Sequence, residues 1–272
     1  MATCGEKLIA ILESYAVEFV FGIPGVHTIE LYRGLKRSNL RHITPRHEQG
    51  AGFMADGYAR ATGRVGVCFI ITGPGMTNIA TAMAQARQDS IPMLVISTVS
   101  RSNQLGLGEG RLHELPQQRN LAAEVSLFSH TLFRAEELPK VMARAFGVFA
   151  SQRPGPVHIE IPLDVISSSA DSIDTSAWPL PSAPAAPPET IDRAAALLRE
   201  ARRPLIAIGG GAIRASEEVT RLAEILDAPV VNTVNAKGVV PSNHPLAVGG
   251  SGSCAAVRDA FREADVVLGV GT

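Results

Sequence analysis

Four short segments carry side chains whose types and spacing suit proton-transfer chemistry beside a bound ligand. The first reads Arg46-His47-Glu48-Gln49-Gly50-Ala51 and continues as Ala55-Asp56-Gly57-Tyr58-Ala59-Arg60-Ala61-Thr62-Gly63. Its carboxylate, Glu48, stands at the mouth of an expected helix, just beyond an extended piece, where open α/β sheets bind ligands. A carboxylate held there in a dry pocket can hydrogen-bond a ligand nitrogen and take part in general acid–base catalysis. The second segment is Thr72-Gly73-Pro74-Gly75-Met76-Thr77-Asn78, at the end of an apolar run. Gly73 and Gly75 allow positive φ or close approach of the backbone to a ligand. Gly22-Ile23-Pro24-Gly25 is a third turn of the same kind. The fourth, Gly106 to Pro116, holds His113 beside Glu114. A histidine titrates near neutrality and suits a proton relay.

Each segment also has a purely structural reading. A lone glutamate in a first helical turn gains about 0.3–1 kcal/mol from the helix dipole. Thr77 or Asn78 would serve as an N-cap after an ordinary strand-to-helix turn. Gly22 to Gly25 reads as a type II turn. His113 would cap a nearby carbonyl, and Glu109 and Glu114 would be solvated surface groups.

The elements that must position these residues alternate regularly. Thr3 to Glu6 has the form of a capping box, followed by the helical stripe Leu8, Ile9, Ile11 and Leu12. Phe19 to Phe21 reads as a short buried strand, Ile29 to Leu35 as a helix, and Arg41 to Ile43 as an extended piece. A helix is expected from Glu48 to about Thr62, with Gly63 as its C-cap glycine. Val65 to Ile71 is apolar without alternation, as in a central parallel strand covered on both faces. Met93 to Ser97, Ser129 to Phe133 and Val157 to Ile161 are further strands, with a helix near 136–150 and a long loop over 100–120. This alternation predicts an α/β fold with a parallel sheet. A Pro/Ala/Ser-rich linker is expected over 167–189, separating a domain at 1–166 from one at 190–272. In the second, helices at 191–200, 217–226 and 255–263 alternate with strands at 205–208, 230–231 and 266–270. Ending on a strand, that domain reads as truncated.

Composition narrows the classes. The chain has 272 residues, 46% of them hydrophobic and 19% charged, enough apolar material for two cores. The net charge of −1, with both signs interleaved, gives no footprint for nucleic acid and no basic face for a membrane. Cys4, Cys68 and Cys254 are far apart, so neither a disulfide framework nor a metal-ligand spacing is visible, and a cytoplasmic setting is expected. Gly209-Gly210-Gly211 follows a strand but lacks the full dinucleotide-binding spacing.

Taken together, the Glu48 and Gly73 segments resemble the pyrimidine-binding domain of thiamine-diphosphate-dependent 2-oxo acid enzymes. Leu205 to Ala212, Asn235 to Gly238 and His244 to Leu246 resemble that family's central Rossmann-like domain. The resemblance implies a pyrimidine-binding domain followed by a truncated Rossmann-like central domain. It implies that Glu48 activates the cofactor by stabilising the imino tautomer of its aminopyrimidine, so that a carbanion forms at C2 of the thiazolium ring. Pro24, Gly25, Glu48, Thr72, Gly73, Pro74, Gly75 and Asn78 would border the cofactor, and Gly25, Val26 and Glu114 the substrate. No metal ligand is assigned in this chain. Magnesium and the diphosphate would be held by a third domain of about 150–200 residues. FAD, which acetolactate synthases hold in the central domain, is a lesser possibility than an empty one. The family pattern further implies a homodimer or homotetramer acting on a small 2-oxo acid.

Within the family, acetolactate synthases usually carry Asp-Ala-Phe-Gln-Glu where this chain has Gly110 to Glu114, so His113 stands where the glutamine would be. The runs Phe21 to Gly34 and Gly108 to Pro116 look most like 5-guanidino-2-oxopentanoate decarboxylases. On that likeness His113 relays a proton after carbon dioxide leaves, and Glu109 or Glu114 pairs with a cationic substrate tail. Acetolactate synthesis, or a non-catalytic role for a chain without the diphosphate domain, are the alternatives.

Overall fold

The computed structural model describes residues 1–250, 252 and 254–272. They form two units, Met1–Pro184 and Ala185–Thr272. In the first unit six parallel strands are arranged in the order β2-β1-β3-β4-β6-β5. They are β1 (Phe19–Gly22), β2 (Arg41–Ile43), β3 (Gly66–Ile70), β4 (Met93–Val99), β5 (Phe128–Thr131) and β6 (Pro156–Pro162). Every residue of β3, β4 and β6 is buried, so both faces of the sheet are covered, as the unbroken apolar run of β3 requires. The cover is α1 (Cys4–Ser14), α2 (Ile29–Leu35), α3 (Glu48–Thr62), α4 (Pro74–Asp89), α5 (Gln118–Glu124), α6 (Leu138–Ser151) and the single turn α7 (Leu163–Ile166).

From β1 the chain passes to β2 on one side, whereas β3 and β4 lie on the other. The order reverses between β1 and β3, and in open α/β sheets the crevice at such a reversal is where ligands bind. The segments following β1, β2 and β3 hold Pro24-Gly25, Glu48 and Thr72-Gly73, respectively. The sheet topology thus gathers three of the four reactive-looking segments at one edge.

Local signals explain the element ends. Thr3 and Glu6 form the expected capping box of α1. Helix α3 ends on Gly63 in the left-handed conformation, φ 70°. Three expectations fail. Gly22 to Gly25 is no type II turn: such a turn needs positive φ at its third residue, here Pro24, whose ring holds φ negative, and no residue of the four has positive φ. Neither Thr77 nor Asn78 caps α4: the helix starts a turn earlier, with Gly73 as N-cap and Pro74 at its first position. Part of the stretch expected to be linker is packed on the first unit. Ala170 and Ile173 are in its core, and Cys4 N–H donates to Ser168 O at 3.0 Å. The polar composition of that stretch hid its two inward-facing apolar residues.

The second unit has a parallel sheet in the order β10-β7-β8-β9, with β7 (Pro204–Ile208), β8 (Val230–Asn232), β9 (Ala247–Gly249) and β10 (Val266–Val270). Its helices are α8 (Pro188–Glu200), α9 (Ser216–Leu226) and α10 (Ala255–Glu263). Strand β9 was not expected. Gly209 and Gly211 abut the backbone of Gly271, where a Cβ on either would lie 2.1 Å and 2.8 Å from its atoms. Close backbone packing therefore accounts for this glycine run. No helix among the described residues is long and apolar enough to cross a membrane.

Candidate active site

Glu48 is placed by two helices that approach unusually closely. A Cβ on Gly52 of α3 would lie 2.5 Å from the Ala82 Cβ of α4, so the small residue sets the distance between them. Arg60 at the far end of α3 bonds both Asp56 and Asp89 and ties the pair together. His47 caps α3, its Nδ1 accepting from Gln49 N–H at 3.1 Å. Glu48 is 8% exposed. One of its oxygens accepts from Asn78 Nδ2 on α4 at 2.8 Å, and the other has no hydrogen-bond partner among the described residues. A largely buried carboxylate with one free acceptor fits a ligand that brings its own donor.

Around it lie the other expected residues. Thr72 and Gly73 follow β3 directly, and Gly25 and Gly75 both pack on the Ile71 side chain; a Cβ on them would come within 2.7 Å and 2.6 Å of it. Pro24, Val26 and Pro74 are exposed. Gly73 has φ 65° and ψ −114°, and a Cβ there would lie 2.3 Å from the carbonyl oxygen of His113. The loop after β4 is thereby seated on the turn after β3. His113 itself has a φ of 57°, and its Nδ1 is buried without a hydrogen-bond partner.

Facing His113 is a residue that sequence reasoning missed. His27 is buried in the short 3-10 turn Val26–Thr28, its ring centroid 5.7 Å from that of His113. Burial, and then the neighbouring His113, hold its pKa below the ordinary histidine value. Nothing local marked it out: the 3-10 turn, not an alternating pattern, sends His27 inward and Val26 outward.

Glu114 departs from its expected task. Its carboxylate accepts from Gly108 N–H at 2.8 Å and Arg111 N–H at 3.0 Å, so it organises its own loop rather than waiting for a substrate's cationic tail. Gly106, Gly108 and Gly110 all have positive φ and give the loop its curl. Glu109 is likewise engaged, with Arg111 at 2.6 Å. The Arg111 N–H and the other backbone donors hold the Glu114 pKa below the usual carboxylate value. A depressed folded pKa means the loop is held at neutral pH and released as pH falls through it. Protection from hydrogen exchange in residues 106–113, taken relative to the intrinsic exchange rate at each pH, should therefore fall on acidification, and Glu114→Ala should abolish that pH response. Equal exchange in both proteins at neutral pH would contradict the assignment.

No group of three or more His, Cys, Asp or Glu able to hold a metal ion occurs among the described residues. The residues present do fit the aminopyrimidine end of thiamine diphosphate: a buried carboxylate with one free oxygen, the glycine turns beside it, and an unpartnered imidazole nitrogen.

Comparison with known proteins agrees. Residues 2–123 match the thiamine pyrophosphate enzyme N-terminal TPP binding domain, and residues 191–272 match the thiamine pyrophosphate enzyme central domain. The chain is 50% identical over 271 residues to the probable 2-ketoarginine decarboxylase AruI of Pseudomonas aeruginosa, covering 99% of this chain and 48% of that protein. It is 38% identical to a probable acetolactate synthase large subunit of Methanocaldococcus jannaschii, covering 98% and 46%. It is 37% identical to the acetolactate synthase isozyme 1 large subunit of Escherichia coli, covering 99% and 48%. The chain thus spans about half the length of these relatives. Matched by two domain models of one family on two successive α/β units, the chain belongs to the thiamine pyrophosphate enzymes.

Proposed function

We propose that the full-length protein decarboxylates a 2-oxo acid with thiamine diphosphate and Mg2+, and that its substrate is 5-guanidino-2-oxopentanoate (2-ketoarginine). The observation that carries this reading is the Glu48 carboxylate, buried, fixed by Asn78 through one oxygen and free at the other. When bound, thiamine diphosphate supplies a nucleophilic carbon for the oxo group and a sink for the electron pair left by carbon dioxide. Glu48 holds the pyrimidine ring by a hydrogen bond to its nitrogen. Asn78 fixes the carboxylate rotamer, and the turns at Pro24-Gly25 and Thr72 to Gly75 border the ring. His113, with its free Nδ1, delivers the proton that replaces the lost carboxylate. Gly25 and Val26 border the substrate's entrance.

The 50% identity to a probable 2-ketoarginine decarboxylase supports the substrate. Acetolactate synthesis is the second reading, supported by the relatives at 37% and 38% identity. Assembly as at least a homodimer is part of the proposal. Large apolar side chains stand exposed near the site, among them Val26, Ile29, Phe53, Met54, Leu107 and Leu112, and surfaces of this kind are normally covered.

The test is a panel of 2-oxo acids with full-length protein, thiamine diphosphate and Mg2+, scored for carbon dioxide and acetolactate. The expected result is release of carbon dioxide from the guanidino acid at least about tenfold more efficiently than from pyruvate. Acetolactate from pyruvate as the main product would overturn it.

A further inference from the structure

Behind the Thr72–Gly73 turn lies a polar cluster of which the chemistry above uses only Thr72. Thr72, Ser97, Gln118, Thr131, His158 and Glu160 are each 4% exposed or less. Buried polar groups are costly unless paired, and these are joined in one continuous set of hydrogen bonds. Gln118 Oε1 accepts from Thr72 Oγ1 at 2.8 Å and from Gly73 N–H at 3.1 Å. Its Nε2 donates to Ser97 Oγ at 3.2 Å and to Glu160 Oε2 at 3.1 Å. Glu160 Oε1 accepts from Thr131 Oγ1 at 2.7 Å. Ser97 continues to His158 Nε2 at 2.8 Å, and His158 Nδ1 to Ser129 at 2.7 Å.

Two ends of this set have fixed polarity. The Gly73 N–H can only donate, and Glu160, though burial raises its pKa above the ordinary carboxylate value, is placed as an acceptor at both oxygens, from Gln118 Nε2 and Thr131 Oγ1. The hydroxyls of Thr72, Ser97 and Thr131 rotate to suit either role. Among the described residues Gln118 alone joins the two fixed ends. Only one orientation of its amide avoids a donor facing a donor: carbonyl toward Gly73, NH2 toward Glu160. The turn needs such a clamp, because Gly73 sits at φ 65° and also carries the seat of the His113 carbonyl.

We propose that Glu160 fixes the amide orientation of Gln118, and that the two act as positioning residues that clamp the Gly73 turn against the bound cofactor. The inference rests on the proposed thiamine diphosphate site. It goes beyond that site by assigning a polarity relay from the middle of the sheet.

The test is a polarity swap in the full-length protein, comparing Gln118→Glu, Glu160→Gln and the double variant Gln118→Glu/Glu160→Gln. Two readouts are used: the dissociation constant for thiamine diphosphate with Mg2+ at about pH 6 and pH 8.5, and hydrogen exchange over residues 71–76 without cofactor. Gln118→Glu sets two carboxylates face to face, where like charges cannot both ionise and a proton is shared. Its cofactor affinity should fall about tenfold or more as pH rises and that proton is lost, with faster exchange over residues 71–76. The double variant restores the match, because residue 160 now donates to the carboxylate at 118, whose other oxygen still accepts from Gly73. It should bind within about threefold of wild type at both pH values.

Arg119 is the cation acting on Glu160 and is unchanged in every variant. His158, pushed down to about 3 by burial, stays neutral throughout. A double variant no better than Gln118→Glu would overturn the clamp, as would a Gln118→Glu protein that binds like wild type at both pH values. A Gln118→Glu chain that does not fold supports the clamp if the double variant folds, and counts against it if both fail. Wild-type protein that binds no thiamine diphosphate, yet follows the exchange pattern, would remove the cofactor reading and leave the polarity relay standing.

Discussion

Glu48→Gln in the full-length protein should cut turnover by about 10²–10⁴-fold while leaving the melting temperature within a degree or so of wild type. The substitution keeps the shape of the side chain and an oxygen that can accept from Asn78 Nδ2, the contact now made at 2.8 Å. It removes the negative charge and the free carboxylate oxygen, and with them the strong, charge-assisted acceptor offered to a ring nitrogen. A neutral amide in its place accepts more weakly, and with its NH2 turned toward the ring it would meet a donor with a donor. Stability should be spared because Glu48 makes no other side-chain hydrogen bond or ion pair among the described residues, and glutamine fills the same space. Steady-state kinetics and a thermal melt on the same preparation check both halves. Undiminished turnover would remove Glu48 from the chemistry, and a large drop in melting temperature would recast it as a structural residue.

Gly73→Ala should produce the opposite profile, with stability and cofactor binding failing together. At φ 65° and ψ −114° the backbone lies where a residue with a Cβ is strained by about 1–3 kcal/mol. The added carbon would also fall 2.3 Å from the His113 carbonyl oxygen, a backbone atom with little room to retreat. A decrease in melting temperature on the order of 5–10 °C follows for a unit of this size. The loop carrying His113 should lift from its seat, with faster hydrogen exchange over residues 106–113. Gly75→Ala is the control: its Cβ would meet only side chains, Ile71 at 2.6 Å and Ile70 at 3.2 Å, and a side chain can turn aside where a backbone carbonyl cannot. Equal effects from the two substitutions would mean that the turn, and not the seat of His113, is what alanine disturbs.

The parts of this molecule that could be read from sequence are those whose causes are local. Helix α3 has the expected bounds, opening at Glu48 and ending on Gly63, which supplies the left-handed cap. The unbroken apolar run of β3 announced a sheet covered on both faces. What escaped notice depends on partners distant in sequence. Helix α5, which begins at the end of the 100–120 stretch read as loop, gave no signal because its buried face is only Gln118 and Ala122. Gln118 differs from its neighbour Gln117 in nothing but the strands that receive it. His27 turns inward because of a 3-10 turn that sequence periodicity does not report. One signal was present and overlooked: His158 and Glu160 alternate on one face of a strand that is otherwise apolar. Ionisable side chains at that spacing inside a sheet mark a buried polar cluster and deserve a search for their partners.

The central claim is that Glu48 addresses the pyrimidine ring of thiamine diphosphate, and a crystal structure of the full-length protein with that cofactor and Mg2+ tests it directly. The predicted result is a hydrogen bond of about 2.6–2.9 Å between a ring nitrogen and the Glu48 oxygen that Asn78 leaves free. A cofactor seated elsewhere, or a Glu48 carboxylate turned to solvent beside a fully occupied site, would contradict it.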